Sequence, residues 1–261
     1  MTGPGVAPPA GAAGRFVART VGKGGAASRY QVWVPADAGT APLPVVLFLH
    51  GAGEGGTDGV APTTVGLGPV LRGEPEPVNP VAGRAPVMTR ADLPPVPPLL
   101  AVFPQSRPGR DWTSRESVRA ALAALDAALA EFGGDPRRQL LTGVSMGGSG
   151  AWHLALAERG RWARLAPVCG WLARESVAGE PPARLAEGPY AAAAHALGAL
   201  PTWAFHGADD RIIPVGASRA MVGALREAGG DVRYTEYPGV GHASWRQAYA
   251  ERALYDWLLG A

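Results

Sequence analysis

The sequence is short of the features that mark disulfide-stapled, metal-clustered, nucleic-acid-binding and membrane-spanning chains. Cys169 is its one cysteine, so no internal disulfide can form, and no Cys/His cluster has zinc-ligand spacing. Lys23 is its one lysine, and Lys and Arg nowhere form a block. With 24 basic and 22 acidic side chains the formal net charge is +2. A nucleic-acid or membrane-surface role gains no electrostatic support from that balance. No run of about 18 apolar residues exists to span a bilayer. The opening MTGPGVAPPAGAAGR lacks the apolar stretch of a signal peptide. These absences set expectations: a cytoplasmic protein with no metal or other cofactor, no nucleic-acid partner and no membrane partner. An exported chain trimmed of its leader would read the same, and the oligomeric state stays open.

What the chain has in excess is Gly (37) and Pro (26), in 261 residues that are 47% hydrophobic. That length suits one large core. Residues 1–14 read as a flexible N-terminal tail and residues 15–261 as one domain. Continuous apolar runs at Val45–Leu49 and Leu99–Phe103 predict strands buried on both faces. Tyr30–Val34, Leu140–Val144, Leu165–Val168, Thr202–Phe205 and Val232–Tyr237 read as further strands. Helical patterns lie between them. Thr113-Ser-Arg-Glu116 has the form of a capping box, followed by an apolar stripe from Val118 to Phe132 that Gly133-Gly134 ends. Met146–Glu158, Pro214–Ala228 and Ser244–Leu259 read as helices, the last broken near Glu251. Such alternation predicts an α/β fold, with a mostly parallel sheet of about eight strands and helices on both faces. Residues 66–98, rich in Pro and Gly and without period, form an excursion that is a possible lid or a surface wrap.

Gly143-Val144-Ser145-Met146-Gly147 fits G-x-S-x-G between a predicted strand and a predicted helix. Small neighbours let the backbone turn sharply, so that the serine Oγ projects above the sheet. Such a serine is served by an acid and then a histidine further along the chain. His242 lies in the turn-rich Pro238-Gly-Val-Gly-His242, after the last strand, where a base would hang over the nucleophile. His153 and His195 fall inside helices, and His206 is expected to organise its own turn. The loop after Thr202–Phe205 offers Asp209 and Asp210, with Asp210 favoured as the acid that orients the imidazole. Oxyanion donors are expected from the backbone N–H of Met146 and from that of Ala52, with Gly51 the close alternative, in the Gly-rich loop His50-Gly-Ala-Gly-Glu-Gly-Gly56. Trp112, Trp171 and Trp245 each lie near a loop leaving a strand and are candidates to line the substrate cleft.

The stretches FLHGAGEGG, LTGVSMGGSGAW, APVCG, FHGADDRIIP and YPGVGHASW, in that order, resemble the predicted-peptidase/esterase branch of the α/β-hydrolases. That branch is related to feruloyl esterases, polyhydroxyalkanoate depolymerases and dienelactone hydrolases. The likeness runs from about Tyr30 to the C-terminus, apart from residues 66–98. It implies a single-domain α/β-hydrolase with a Ser145, Asp210, His242 triad and no cofactor. It also implies that the acid is Asp210 rather than Asp209, and that Cys169 is structural. Trp171, after Cys169-Gly170, stands where relatives often keep a small residue. The expected activity is serine-dependent hydrolysis of small-molecule carboxylic esters with small or aromatic acyl groups. A peptidase or amidase would use the same residues, and a catalytically silent binding protein on this fold is the alternative of another class.

Overall fold

In a computed structural model of the chain, the residues described are 14–37, 39–76, 88–173 and 188–260. Among the described residues are eight strands, β1 (Gly14–Val21), β2 (Ser28–Pro35), β3 (Leu43–Leu49), β4 (Leu100–Pro104), β5 (Gly134–Val144), β6 (Arg164–Val168), β7 (Thr202–Gly207) and β8 (Val232–Tyr237). They form one sheet in the order β1-β2-β4-β3-β5-β6-β7-β8. β1 and β2 pair antiparallel, as do β2 and β4, and from β4 to β8 every pairing is parallel. The apolar alternation missed β1, which reads GRFVARTV and sits at an edge, half exposed. Gly14, placed by the sequence in the flexible tail, opens this strand; the tail's residues 1–13 lie outside the described residues.

The helices are α1 (Leu67–Arg72), α2 (Arg115–Phe132), α3 (Met146–Ala157), α4 (Pro189–Leu197), α5 (Gly216–Glu227), α6 (Trp245–Ala248) and α7 (Arg252–Leu259). They divide between the two faces of the sheet, and β3 shows why its whole sequence is apolar. Val45, Leu47 and Leu49 join one core with Ala121 and Leu125 of α2, Trp152 of α3 and Met221 of α5. Val46 and Phe48 join the other with Leu67 and Leu71 of α1, Tyr249, and Leu254 of α7. Period-2 alternation along a strand covered on both sides leaves no position for a polar side chain.

The cap of α2 lies one residue later than its sequence suggests. Ser114 Oγ accepts the Ser117 N–H, while Thr113 is held by Asp111, whose Oδ1 accepts both its N–H and its hydroxyl. Gly133 closes the helix with φ 72°. Within the Pro/Gly-rich excursion, α1 is buried against β3 and Tyr249. Residues 77–87 of the possible lid lie outside the described residues. Among the described residues no helix is long and apolar enough to cross a membrane.

The chain leaves β3 toward β4 on one side and takes up β5 on the other. Loops diverging at such a switch point open a crevice at the carboxyl ends of the strands. Because Leu47 is fully buried between these layers, Leu47→Ala is expected to cost about 2–5 kcal/mol, read as a lowered urea midpoint at unchanged slope.

Candidate active site

Neighbouring strand ends deliver the site, His242 arriving on the loop after β8, which pairs with β7. Register pairs Leu49 with Gly143, Val144 with Val168, and Val168 with Phe205. The residues just past β3, β5 and β6 and at the end of β7 therefore stand side by side. Ser145 turns the chain from β5 into α3 at φ 54°, ψ −115°, a conformation unfavourable for any L-residue. Its N–H donates to Val168 O at 2.9 Å, and its carbonyl accepts the Ser149 N–H at 2.9 Å. The motif's glycines are required by close approach rather than by unusual torsions. A Cβ on Gly147 would fall 1.9 Å from Leu49 O, and one on Gly143 would fall 2.4 Å from Gly147 O. That absence of side chains lets α3 start directly against β3.

His242 bridges the other two predicted positions. Its Nε2 lies 2.8 Å from Ser145 Oγ and its Nδ1 lies 2.7 Å from Asp210 Oδ2. An ionised carboxylate only accepts, so Nδ1–H donates to Asp210, and in the neutral ring Nε2 accepts the Ser145 hydroxyl. Asp210 Oδ1 accepts the N–H groups of Ile212 and Ile213, each at 2.9 Å. Its Oδ2 receives a second imidazole, His206 Nε2, at 3.1 Å. His206 also meets Ile213 O at 3.0 Å through Nε2 and Ser218 Oγ at 2.7 Å through Nδ1. With two acceptors facing it, Nε2 carries the proton. Burial alone would raise the Asp210 pKa. The bonds from His206 and His242, the His242 charge and the Ile213 N–H together outweigh burial and hold it well below the usual carboxylate range. Asp209 is exposed, and its N–H donates to Val240 O in the turn.

Met146 is the first residue of α3, and Ala52 opens the short 3-10 turn Ala52–Glu54 after β3. N–H groups at the start of a helical turn have no acceptor within it. Gly51, between β3 and that turn, lies close enough to β5 that a Cβ there would stand 3.7 Å from Val144 O. His50, fully buried, braces the loop from beneath. Its Nδ1–H donates to Gly51 O at 2.6 Å, its Nε2 accepts the Ser106 N–H at 3.0 Å, and its carbonyl accepts Trp112 Nε1–H at 2.9 Å.

The phospholipase/carboxylesterase family (Abhydrolase_2) matches residues 36–253. The chain belongs to that family. A thermostable esterase is similar at 29% identity and a TM-score of 0.70, over 94% of this chain and 62% of its own. An acylaminoacyl peptidase from Pyrococcus horikoshii is similar at 14% identity and a TM-score of 0.65, over 95% of this chain and 41% of its own. A ferulic acid esterase is similar at 15% identity and a TM-score of 0.65, over 95% of this chain and 97% of its own. This chain spans less than two thirds of the first two, and the last two share its fold. No curated protein sequence matches it.

Beside the Ser145 turn of this carboxylesterase-family chain is a cavity of about 320 Å³, lined by Trp112, Met146, Ser149, His153, Trp171 and Leu172, with Asp111 and Thr113 at one side. Two of the three predicted tryptophans thus border it. Trp112 does so as a wall only 2% exposed, whereas Trp171 is half-buried. Trp245 lies elsewhere, edge-on to the His242 ring with centroids 5.4 Å apart. Burial lowers the His153 pKa, against the opposing Leu172 carbonyl, and sets a neutral imidazole at the cavity wall. The sequence placed His153 in a helix without a role, because its neighbour across the cavity, Trp171, follows a different strand. His195 is exposed on α4.

Cys169, Asp210 and His242 are grouped with ligand atoms within 4.8 Å, the one candidate metal cluster among the described residues. Asp210 and His242 are bonded to each other there. Burial, with the Asp210 charge beside it, pushes the Cys169 thiol far up. Metal binding would have to break the first contact and ionise the thiol, so the donor set fits an ion poorly.

Burial drives the His50 pKa down to about 4, against the opposing Gly51 carbonyl and Asp58 charge. The folded value lies below the unfolded 6.5, so the unfolded state takes up the proton first. Stability contributed by neutral His50 is therefore complete above pH 6.5 and lost as pH falls toward 4, by up to about 3 kcal/mol. Denaturant unfolding across that window is expected to show a shallower pH slope for His50→Gln than for the unaltered protein.

Proposed function

We propose that the protein is a serine hydrolase that cleaves carboxylic esters of small or aromatic acyl groups. The observation that carries the proposal is the single imidazole of His242, bonded to Ser145 Oγ at one nitrogen and to Asp210 at the other. His242 Nε2 takes the hydroxyl proton as Ser145 Oγ attacks the ester carbonyl carbon. The carbonyl electron pair moves onto oxygen, and the N–H groups of Ala52 and Met146 receive the oxyanion. Collapse expels the alcohol, which takes the proton back from Nε2. Water then attacks the acyl-enzyme with His242 again as base, releasing the acid and restoring Ser145. Asp210, held anionic throughout, keeps Nδ1–H in place and stabilises the imidazolium.

The acyl group is assigned to the cavity bordered by Trp112 and Trp171. Its volume of about 320 Å³ is that of a small site and suits one ring or a short chain. The likeness to a thermostable esterase supports ester rather than amide cleavage.

Ser145→Ala is expected to lower kcat by about five to six orders of magnitude while the fold is retained. A fluorophosphonate is expected to label Ser145 of the unaltered chain and nothing in the variant; unlabelled Ser145 ends the proposal. Short p-nitrophenyl esters, feruloyl esters and peptide amides, compared by kcat/KM, test the substrate class. Faster turnover of the amides would replace the esterase reading by a peptidase one. Trp171→Ala is expected to raise KM for aromatic acyl esters more than for acetyl esters, read from the two KM ratios.

A further inference from the structure

We infer that Glu76, a residue of the irregular excursion, is a positioning residue for His242, acting through Trp245. This rests on the Ser145–His242–Asp210 reading above. The Glu76 side chain is only 11% exposed. Both of its oxygens receive the Trp245 indole N–H, Oε1 at 2.9 Å and Oε2 at 3.1 Å. Oε2 also accepts the Gly66 N–H at 2.8 Å, just ahead of α1. The Glu76 carbonyl accepts Arg246 Nη2 at 3.3 Å, and the Arg246 Nε lies 3.7 Å from Oε1. One side chain thereby ties the excursion to the start of α6, across 169 positions of sequence.

The consequence falls on His242. Trp245 is 7% exposed and stands at 88° to the imidazole, with centroids 5.4 Å apart. A histidine χ2 torsion is broad and sets ring tilt only loosely by itself. The bond from Nδ1 to Asp210 fixes one edge of the ring. The bond from Nε2 must reverse its donor each time the proton leaves Ser145. During that reversal the indole is the wall that keeps Nε2 aimed at Oγ. A buried indole N–H is stabilised by an acceptor, and Glu76 supplies one to Trp245. Without Glu76 the indole is free to seek another partner, and the wall moves. Misplacement of a catalytic group by about 1 Å costs up to about 10²-fold in rate. The proposed acyl cavity keeps its walls, because Trp245 is not among the described residues lining it.

The test uses the full chain with p-nitrophenyl butyrate and a fluorophosphonate. Glu76→Ala is expected to lower kcat by about 10–10²-fold, to slow Ser145 labelling in proportion, and to leave KM within about twofold. Glu76→Gln keeps an acceptor for the indole and is expected to restore most of the rate. If Glu76→Ala does not fold, Trp245→Phe carries the test. It retains a ring and deletes the N–H, and the same fall in kcat at constant KM is expected. An unchanged labelling rate in the folded variant overturns the role of Glu76, as does a raised KM at constant kcat or a Glu76→Gln variant as slow as Glu76→Ala. If the unaltered chain is not labelled at Ser145, the serine-hydrolase reading falls and the Glu76 role falls with it.

Discussion

The Asp210 carboxylate is the contact on which the arrangement above the sheet depends. It is buried, yet it is kept anionic by four donors: two backbone N–H groups and two imidazoles. A buried charge is tolerated only when its lone pairs are filled. Filling them fixes the loop after β7, the loop after β8 and the orientation of His242 at once. His206 is thus more than a turn residue. By sharing Oδ2 with His242 it limits where the carboxylate can sit, and its other nitrogen reaches Ser218 on α5.

A second constraint comes from below. Ser145 holds a backbone conformation of high energy, and the surrounding layers over-determine it. Gly143, Gly147 and Gly148 allow α3 to approach β3 and β6 at distances that any side chain would forbid. Cys169, the next strand-end residue, is also at positive φ and fully buried. Its thiol is held protonated by burial, which fits packing rather than chemistry. Strain is concentrated where β5 and β6 end, at the floor of the proposed site.

The loops contribute unequally. The Gly-rich turn after β3 is braced by His50, Ser106 and Trp112, all buried. Its Glu54 carboxyl is pushed upward by burial and by the Glu76 charge, against the opposing Gly51 N–H. The excursion therefore reaches the site from two directions, through Glu76 toward Trp245 and through Glu76 toward Glu54. The excursion is thus held by the polar contacts of Glu76 as well as by the apolar burial of α1.

The strands and most helices were legible in the sequence because burial on both faces leaves an unmistakable apolar run, as in VVLFL. β1 was not legible, since an edge strand half open to solvent need not alternate strictly. The candidate nucleophile, acid and base could be named from local motifs, because a sharp turn, a Gly-rich loop and an acidic turn each have a short-range composition. The sequence by itself determined which residues stand at strand ends. Only the tertiary structure decided which strand ends are neighbours. The order β4-β3-β5-β6-β7-β8, the bond from His242 to Asp210, the cavity shared by Trp112 and Trp171, and the bond from Glu76 to Trp245 all join residues far apart in the chain. Such pairings are selected by the packing of the whole sheet, and no local pattern encodes them.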